Sequence, residues 1–505
     1  VKRHTHRPVV ALIAGALALA LTACGAGTAE PEGSSGEPLR IAFATPIQTL
    51  DLPRYQGQPD LVVGALIFDT LVGYGPDLEI VPELAESWEQ PEPTVFEFTL
   101  RDDVVFHDGE PLTAEGVVAQ FEHAMTLEPL TSWTAPIDSV TADGDVVTFT
   151  LKYTTPSFLS NLANGPFAIQ SPSSLDMDPA DLATTPTGTG PYKLESWQGD
   201  VITLVRNDDY WGAAPTQSEI VITTVSDTTT RFNALQAGEY DIIQNVAPYD
   251  FTQLDGNPEL VGLAKPYAQT VWLMVNHKHP LLADHRIREA VAYALDVDAI
   301  VDSATEGLMR PATGFIPPEL GPSDAEPRTR DLERAKELLA EAGYPDGITL
   351  PLYNTVGRYI GDQDIAQIVQ AQLAEAGITV EATVYEYAGL LEAFKQTDTT
   401  GLAVIGWSQR ATPDAMLNAT LRSTGGYNWS AYSNPELDEL LGEAEVQATV
   451  EDAQPLWAKA DGLLVDDVAG VPLYWSQSLF AASSSIEGFS VDPLGYLQLL
   501  EATRR

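Results

Sequence analysis

Between residues 270 and 421 short apolar runs alternate with amphipathic helical stretches, and this alternation restricts the fold most. A strand-like run at 270–275 precedes a helix at 287–294. A second helix at 333–342 is closed by Gly343, and a strand follows at 348–352. A helix at 365–376 ends at Gly377 and leads into a strand at 378–384. A glycine just past a helix supplies the left-handed residue that ends it. Strands separated by single helices cannot be joined by tight hairpins, so they pair as crossover units, with helices on the sheet faces. The expectation is an α/β fold with a mostly parallel sheet. Ligands of such sheets sit beyond the carboxyl ends of the strands.

Residues 406–414 fall at such an end. The run 402–405 reads as a strand, 415–421 as a helix, and Asp414 stands where a helix N-cap belongs. The turn between them offers a small backbone (Gly406), a flat apolar face (Trp407) and a planar cation (Arg410). Those are the parts of a pocket that stacks on a ligand and pairs with an anion. Tyr267, Trp272, Tyr427, Trp429, Tyr474 and Trp475 lie at predicted strand ends or loops of the same half and fit a lined cleft. Any one of them, taken alone, reads equally as core. Gly425 and Gly426 loosen the loop that carries Tyr427, Asn428 and Trp429, which could close over the same ligand.

Lys and Arg number 26 against 72 Asp and Glu, a formal net charge of −46. Such a surface repels nucleic acid and anionic lipid headgroups, so no nucleic-acid partner is expected. A basic side chain in a pocket stands out against this background. The N-terminus carries Lys2, Arg3 and Arg7 before an apolar run at 9–21. That run is too short to span a bilayer and suits the apolar region of a signal peptide. It ends Leu21-Thr22-Ala23-Cys24, similar to the cleavage signal of bacterial lipoproteins, and Cys24 is the sole cysteine. The expected layout is a signal peptide over 1–23, lipidation of Cys24 and a flexible tether over 24–38. The protein would then be extracytoplasmic, anchored to the outer face of the cell membrane or periplasmic.

Catalytic signatures are missing from the sequence. There is no Gly-x-Ser-x-Gly elbow, and the serines at 483–485 have no evident histidine partner. Acidic pairs are too common in this chain to mark acid–base chemistry. Residues 187–192 are glycine-rich, but Pro191 removes an N–H that a phosphate loop needs, so a structural turn is expected. His277, His279 and His285 lack metal-site spacing and read as an exposed loop beside a helix start. No enzyme activity, metal or cofactor is expected.

Several longer motifs occur in a fixed order: residues 81–88 (VPELAESW), 98–115 (FTLRDDVVFHDGEPLTAE), 186–197 with 207–212 (PTGTGPYKLESW, NDDYWG), and 231–243 (RFNALQAGEYDII). They continue at 284–296 (DHRIREAVAYALD) and 331–347 (DLERAKELLAEAGYPDG). Together they resemble the extracytoplasmic solute-binding proteins of oligopeptide and dipeptide ABC importers, family 5, over roughly residues 39–490. The resemblance implies a two-lobed, type II periplasmic-binding-protein-like α/β fold with an extra subdomain inserted in lobe I. Lobe I would comprise 39–73, 184–268 and 481–505, the inserted subdomain 74–183, and lobe II 269–480. It implies a monomer that captures a short peptide or peptide-like solute and delivers it to a membrane permease. The alternatives are another solute (an opine, a sugar derivative or a metal chelate, since the family has nickel-binding members) or a secreted hydrolase. One departure stands out. Peptide-binding members typically carry an Asp after Gly-Trp to receive the peptide's ammonium, and this chain has Arg410 there. The expected contacts are Gly406, Trp407, Arg410, Trp272, Tyr267, Tyr427, Asn428 and Trp429, with an anionic group on the ligand.

Overall fold

Two long strands organise the molecule. The computed structural model describes residues 36–54, 57–76, 78–175, 177–395 and 400–505. The expected signal peptide, Cys24 and most of the expected tether lie outside the described residues. Among the described residues an 11-stranded sheet forms from β1 (Leu39–Phe43), β2 (Tyr192–Gln198), β3 (Val201–Arg206), β4 (Glu219–Thr224) and β5 (Ile242–Gln244). It continues with β6 (Leu260–Val275), β7 (Arg310–Pro311), β8 (Ile348–Asn354), β9 (Ile378–Val384), β10 (Leu402–Ser408) and β11 (Gly470–Ser483). The spatial order is β9-β8-β10-β6-β11-β5-β1-β4-β3-β2, with β7 paired to β11.

The sheet is mixed, which corrects the expectation of a mostly parallel one. Parallel pairing joins β8 to β9 and β10, and β1 to β4 and β5. β6 and β11 run antiparallel to each other and to their other neighbours. β3 likewise runs antiparallel to both β2 and β4. Hydrophobic periodicity reports which face a strand buries, not its direction. The register of β6 on β11 shifts between Pro266 and Thr270, and again between Val271 and Trp272. Such irregularities bend strands and increase their local twist.

A separate four-stranded antiparallel sheet (Ala85–Glu92, Val95–Leu100, Val146–Leu151, Ile137–Asp143) carries its own core. Val95–Leu100 and Val146–Leu151 alternate buried with partly buried residues, the mark of a sheet with one covered face. The helix Ala114–Ala124 covers it, and Phe121 meets Phe149 edge-on at 4.8 Å. Thr113 caps this helix as its sequence indicates, accepting from Gly116 N at 3.1 Å.

The glycine-rich turn at 187–192 is a packing device. A Cβ on Gly188 would lie 2.2 Å from the Ile67 carbonyl oxygen, and one on Gly190 would lie 2.6 Å from it. Gly190 N donates to that oxygen at 2.9 Å. Glycine is required because two backbones touch there. No helix among the described residues is long and apolar enough to cross a membrane.

Candidate ligand-binding site

β10 extends past Ile405, so Gly406, Trp407 and Ser408 lie within the strand, opposite Val271, Thr270 and Gln269 of β6. The turn begins only at Gln409. A Cβ on Gly406 would fall 2.8 Å from Val271 Cγ2 and 2.9 Å from the Tyr359 ring. Gly406 therefore leaves room for the edge of the Tyr359 ring against the strand. Gln409 is buried and anchors the turn: its N donates to Ala268 O, and its Nε2 donates to Phe315 O at 2.8 Å and Thr270 Oγ1 at 3.1 Å.

Asp414 does not act as the expected cap. The helix runs Asp414–Thr420 with Pro413 at the N-cap and no side-chain capping bond. The Asp414 carboxylate instead accepts a hydrogen bond from Ser157 Oγ at 2.6 Å. A partner distant in sequence outcompetes the local backbone, which no local pattern could disclose.

The Arg410 guanidinium carbon lies 3.1 Å from the centroid of the Trp133 ring. Burial pulls this guanidinium down to about 10, opposed by Asp414, Tyr74 and Tyr496, so it stays cationic at neutral pH. Trp133 comes from the helical turn Thr131–Thr134 of the smaller sheet's unit, and Tyr496 from the C-terminal segment. Arg410 thus sits where three parts of the chain meet.

Three of the expected aromatics form one cluster. The Trp407 ring is 5.0 Å from Tyr427 and 6.5 Å from Trp429, and Tyr427 is 5.8 Å from Trp429. Trp429 stacks on Phe394 at 5.0 Å. Tyr427 is 52% exposed, so the cluster opens to solvent. Tyr267 makes no ring contact with these three; its hydroxyl donates to Ser408 Oγ, next to Trp407 in the strand, at 2.9 Å.

The remaining expected residues have other surroundings. Trp272 is buried, edge-on to Phe315 at 5.8 Å, beneath the cluster. Tyr474 is buried and donates to Ile360 O, and Trp475 is covered on one side by Arg310 at 5.9 Å. Asn428 spends its side chain inside its own loop: Nδ2 donates to Arg422 O and Tyr432 O, and Oδ1 accepts from Ser430 Oγ. Gly425 does not loosen that loop. A Cβ there would lie 2.5 Å from the Ala419 and Asn418 carbonyls, so the glycine packs the loop onto the helix before it.

Sequence reasoning missed Trp133, Tyr74 and Tyr496, which reach Arg410 from distant segments. It also missed Arg358. That guanidinium is exposed, 4.5 Å from the Tyr387 ring and 5.8 Å from Tyr359, and its charge acts on the phenol of Tyr267. Arg358 follows β8 at the carboxyl end of a parallel strand, and that placement was a usable signal.

The histidines are not simply an exposed loop. His277 packs edge-on to Tyr432 at 5.0 Å, and burial pushes it down to about 4. His285 lies 3.6 Å from Glu289 and 3.8 Å from Asp467. Among the described residues no three His, Cys, Asp or Glu side chains form a metal-holding group. Two cavities, of about 480 and 600 Å³, are lined by other residues, around Arg40 and Asp241 and around Arg328 and Arg330.

Comparison with known proteins bears on the family and the fold. Residues 79–428 match the family described as bacterial extracellular solute-binding proteins, family 5. The nickel-binding protein NikA of Staphylococcus aureus is 28% identical over 94% of this chain and 95% of its own. The glutathione-binding protein GsiB of Salmonella paratyphi A is 27% identical over 90% of this chain and 92% of its own. The periplasmic binding protein DppA of Helicobacter pylori, solved with the peptide STSA, superposes with a TM-score of 0.78. It is 27% identical, covering 92% of this chain and 98% of that one.

Proposed function

The chain belongs to the bacterial extracellular solute-binding proteins of family 5, and from that premise we propose that it captures a short peptide or peptide-like anionic solute. Family members have the two-lobed type II fold and serve ABC importers, so the working step is capture and delivery to a permease, not catalysis. The lobes are taken as 39–73 with 184–268 and 481–505, and 269–480, with 74–183 inserted in the first. Closure bends the chain near 269 and 480, where β6 and β11 cross between halves and where β6 is already irregular.

The observation that carries the anionic reading is Arg410, held over the Trp133 ring and three residues after Trp407, in a chain of net charge −46. An ammonium would meet like charge at that turn, whereas a carboxylate would gain a charge-assisted hydrogen bond. Arg358, on its tyrosine platform, supplies a second cation at the rim for the ligand's other acidic group. Trp407, Tyr427 and Trp429 would stack on its apolar or planar part. The names of the relatives span nickel, glutathione and a peptide, so family membership alone does not choose the solute. The protein is further proposed to be a monomer, held at the outer face of the membrane by lipid on Cys24.

Native mass spectrometry of the protein purified from its own cells tests the substrate class. An acidic peptide or peptide-like molecule is expected as cargo. A cationic peptide, or a neutral sugar, would overturn it.

A further inference from the structure

The segment that carries Arg410 is held from across the molecule by residues of the smaller sheet's unit. Trp133 offers the face of its ring to the Arg410 guanidinium at 3.1 Å. Ser157 donates to Asp414 at 2.6 Å, and Thr412 Oγ1 lies 3.4 Å from the same hydroxyl. Thr154 Oγ1 donates to the Val446 carbonyl. These contacts run from 133–157 to 410–446 and bypass both strands that cross the main sheet. Trp133 is itself fixed, buried at 8% exposure and 5.7 Å from Phe167 in the core of its own unit.

We infer that Trp133 is a positioning residue for the ligand site. It fixes the plane of the Arg410 guanidinium, and with Ser157 it clamps the turn 409–414. The inference rests on the proposed reading for its consequence on binding. The chemistry is specific. A guanidinium stacked on an indole is held by its flat face, through attraction between the cation and the ring's electron-rich surface. The in-plane N–H edge is the part that recognises a carboxylate, and stacking does not use that edge. A side chain fixed in this way loses less freedom when an anion arrives, so preorganisation contributes to affinity. The inserted unit is then a wall of the binding site and not an appendage of lobe I. Closure strength depends on it as well as on the strands near 269 and 480.

Hydrogen exchange of the ligand-free protein, followed by mass spectrometry, tests the clamp directly. Trp133→Leu removes the π face while keeping an apolar side chain. Exchange across 406–421 is expected to quicken about threefold to tenfold, the scale of one cation–π contact with its neighbours. Peptides covering 95–100 and 146–151, the unit's own sheet, should keep their protection. Trp133→Phe, which restores a ring face, should return 406–421 toward the wild-type rate. Arg410→Gln approaches the same contact from the other side, leaves the core around Phe167 untouched, and should quicken the same peptides. Combined with Trp133→Leu it should add little further. Unchanged exchange at 406–421 in both single variants overturns the inference. So does a rise at 95–100 and 146–151 as large as that at 406–421, because that pattern belongs to a core residue. No ligand enters these measurements, so a wrong substrate class would leave their outcome untouched.

Discussion

The Tyr359 hydroxyl donates to the Gly406 carbonyl at 3.1 Å, and the edge of its ring occupies the space a side chain on Gly406 would need. Backbone, ring and hydrogen bond are fitted together directly beneath Trp407. Gly406→Ala should therefore destabilise the protein by about 1–3 kcal/mol through overpacking. Tyr359→Phe removes only the hydrogen bond and should cost about 1 kcal/mol. Urea denaturation of the two variants checks the order; equal stability of Gly406→Ala and wild type would contradict the contact.

Arg410→Ala should weaken binding of the native solute by about 2–5 kcal/mol, the cost of leaving a buried anion without its partner. That is roughly 30-fold to several-thousandfold in affinity. Trp407→Ala should weaken it less, through lost stacking. Calorimetric titration decides the matter. An affinity of Arg410→Ala within about threefold of wild type, roughly 0.65 kcal/mol, would place Arg410 outside the pocket.

Glu83 makes stability depend on pH. Its carboxylate accepts from Thr70 N at 3.0 Å and Thr70 Oγ1 at 2.6 Å, beside the buried Asp69. Burial, then the neighbouring Asp69, pushes Glu83 up to about 8 from the ordinary 4.5. Between those values the folded protein holds a proton that the unfolded chain has released. Stability from this group is full below about pH 4.5, falls as pH rises through the window, and is lost above about 8. Burial raises Asp461 and Asp492 to about 6, which gives the same sign. Glu83→Gln keeps an acceptor for Thr70 and removes one titration, so its Tm should fall less than that of wild type between pH 5 and 8. An unchanged slope would assign the dependence to other groups.

Small-angle scattering should give a smaller radius of gyration with the native solute than without it if closure accompanies capture. Identical profiles at saturation would argue against hinge motion near 269 and 480.

Cys24→Ser should release the protein into the medium or leave it unprocessed. A variant that is processed and fractionates with membrane like wild type would remove lipidation from the account.

Much of the architecture could be read locally, because local rules decide it. The run 348–352 falls in a strand, Thr113 caps a helix, and Gly343 and Gly377 mark helix ends where the chain turns. Strand direction was not readable, since alternation is the same up or down. The site divides in the same way. Trp407, Tyr427 and Trp429 lie within about twenty residues of one another, on a strand end and the loop that follows the next helix, and their grouping could be anticipated. Trp272 could not be separated from them, because a buried indole and a lining indole have the same neighbours in sequence. Trp133 and Ser157 could not be found at all. Their partners Arg410 and Asp414 lie more than 250 residues away in sequence, and only the fold brings them together.

The arrangement of β1, β5 and β11 also sets the order in which the molecule can be built. The first strand pairs with β5, β5 pairs with the far end of β11, and the core around Leu39 and Ile41 is completed by Phe480, Ala482, Ile486 and Leu499. A chain emerging N-terminus first therefore cannot complete the core around Leu39 and Ile41 until residues 480–499 have appeared. Long-range closure of this kind folds slowly and leaves apolar strands open while synthesis continues. Until residues 480–499 arrive, β1 and β5 lack part of the apolar cover that holds them, so this end of the sheet closes late.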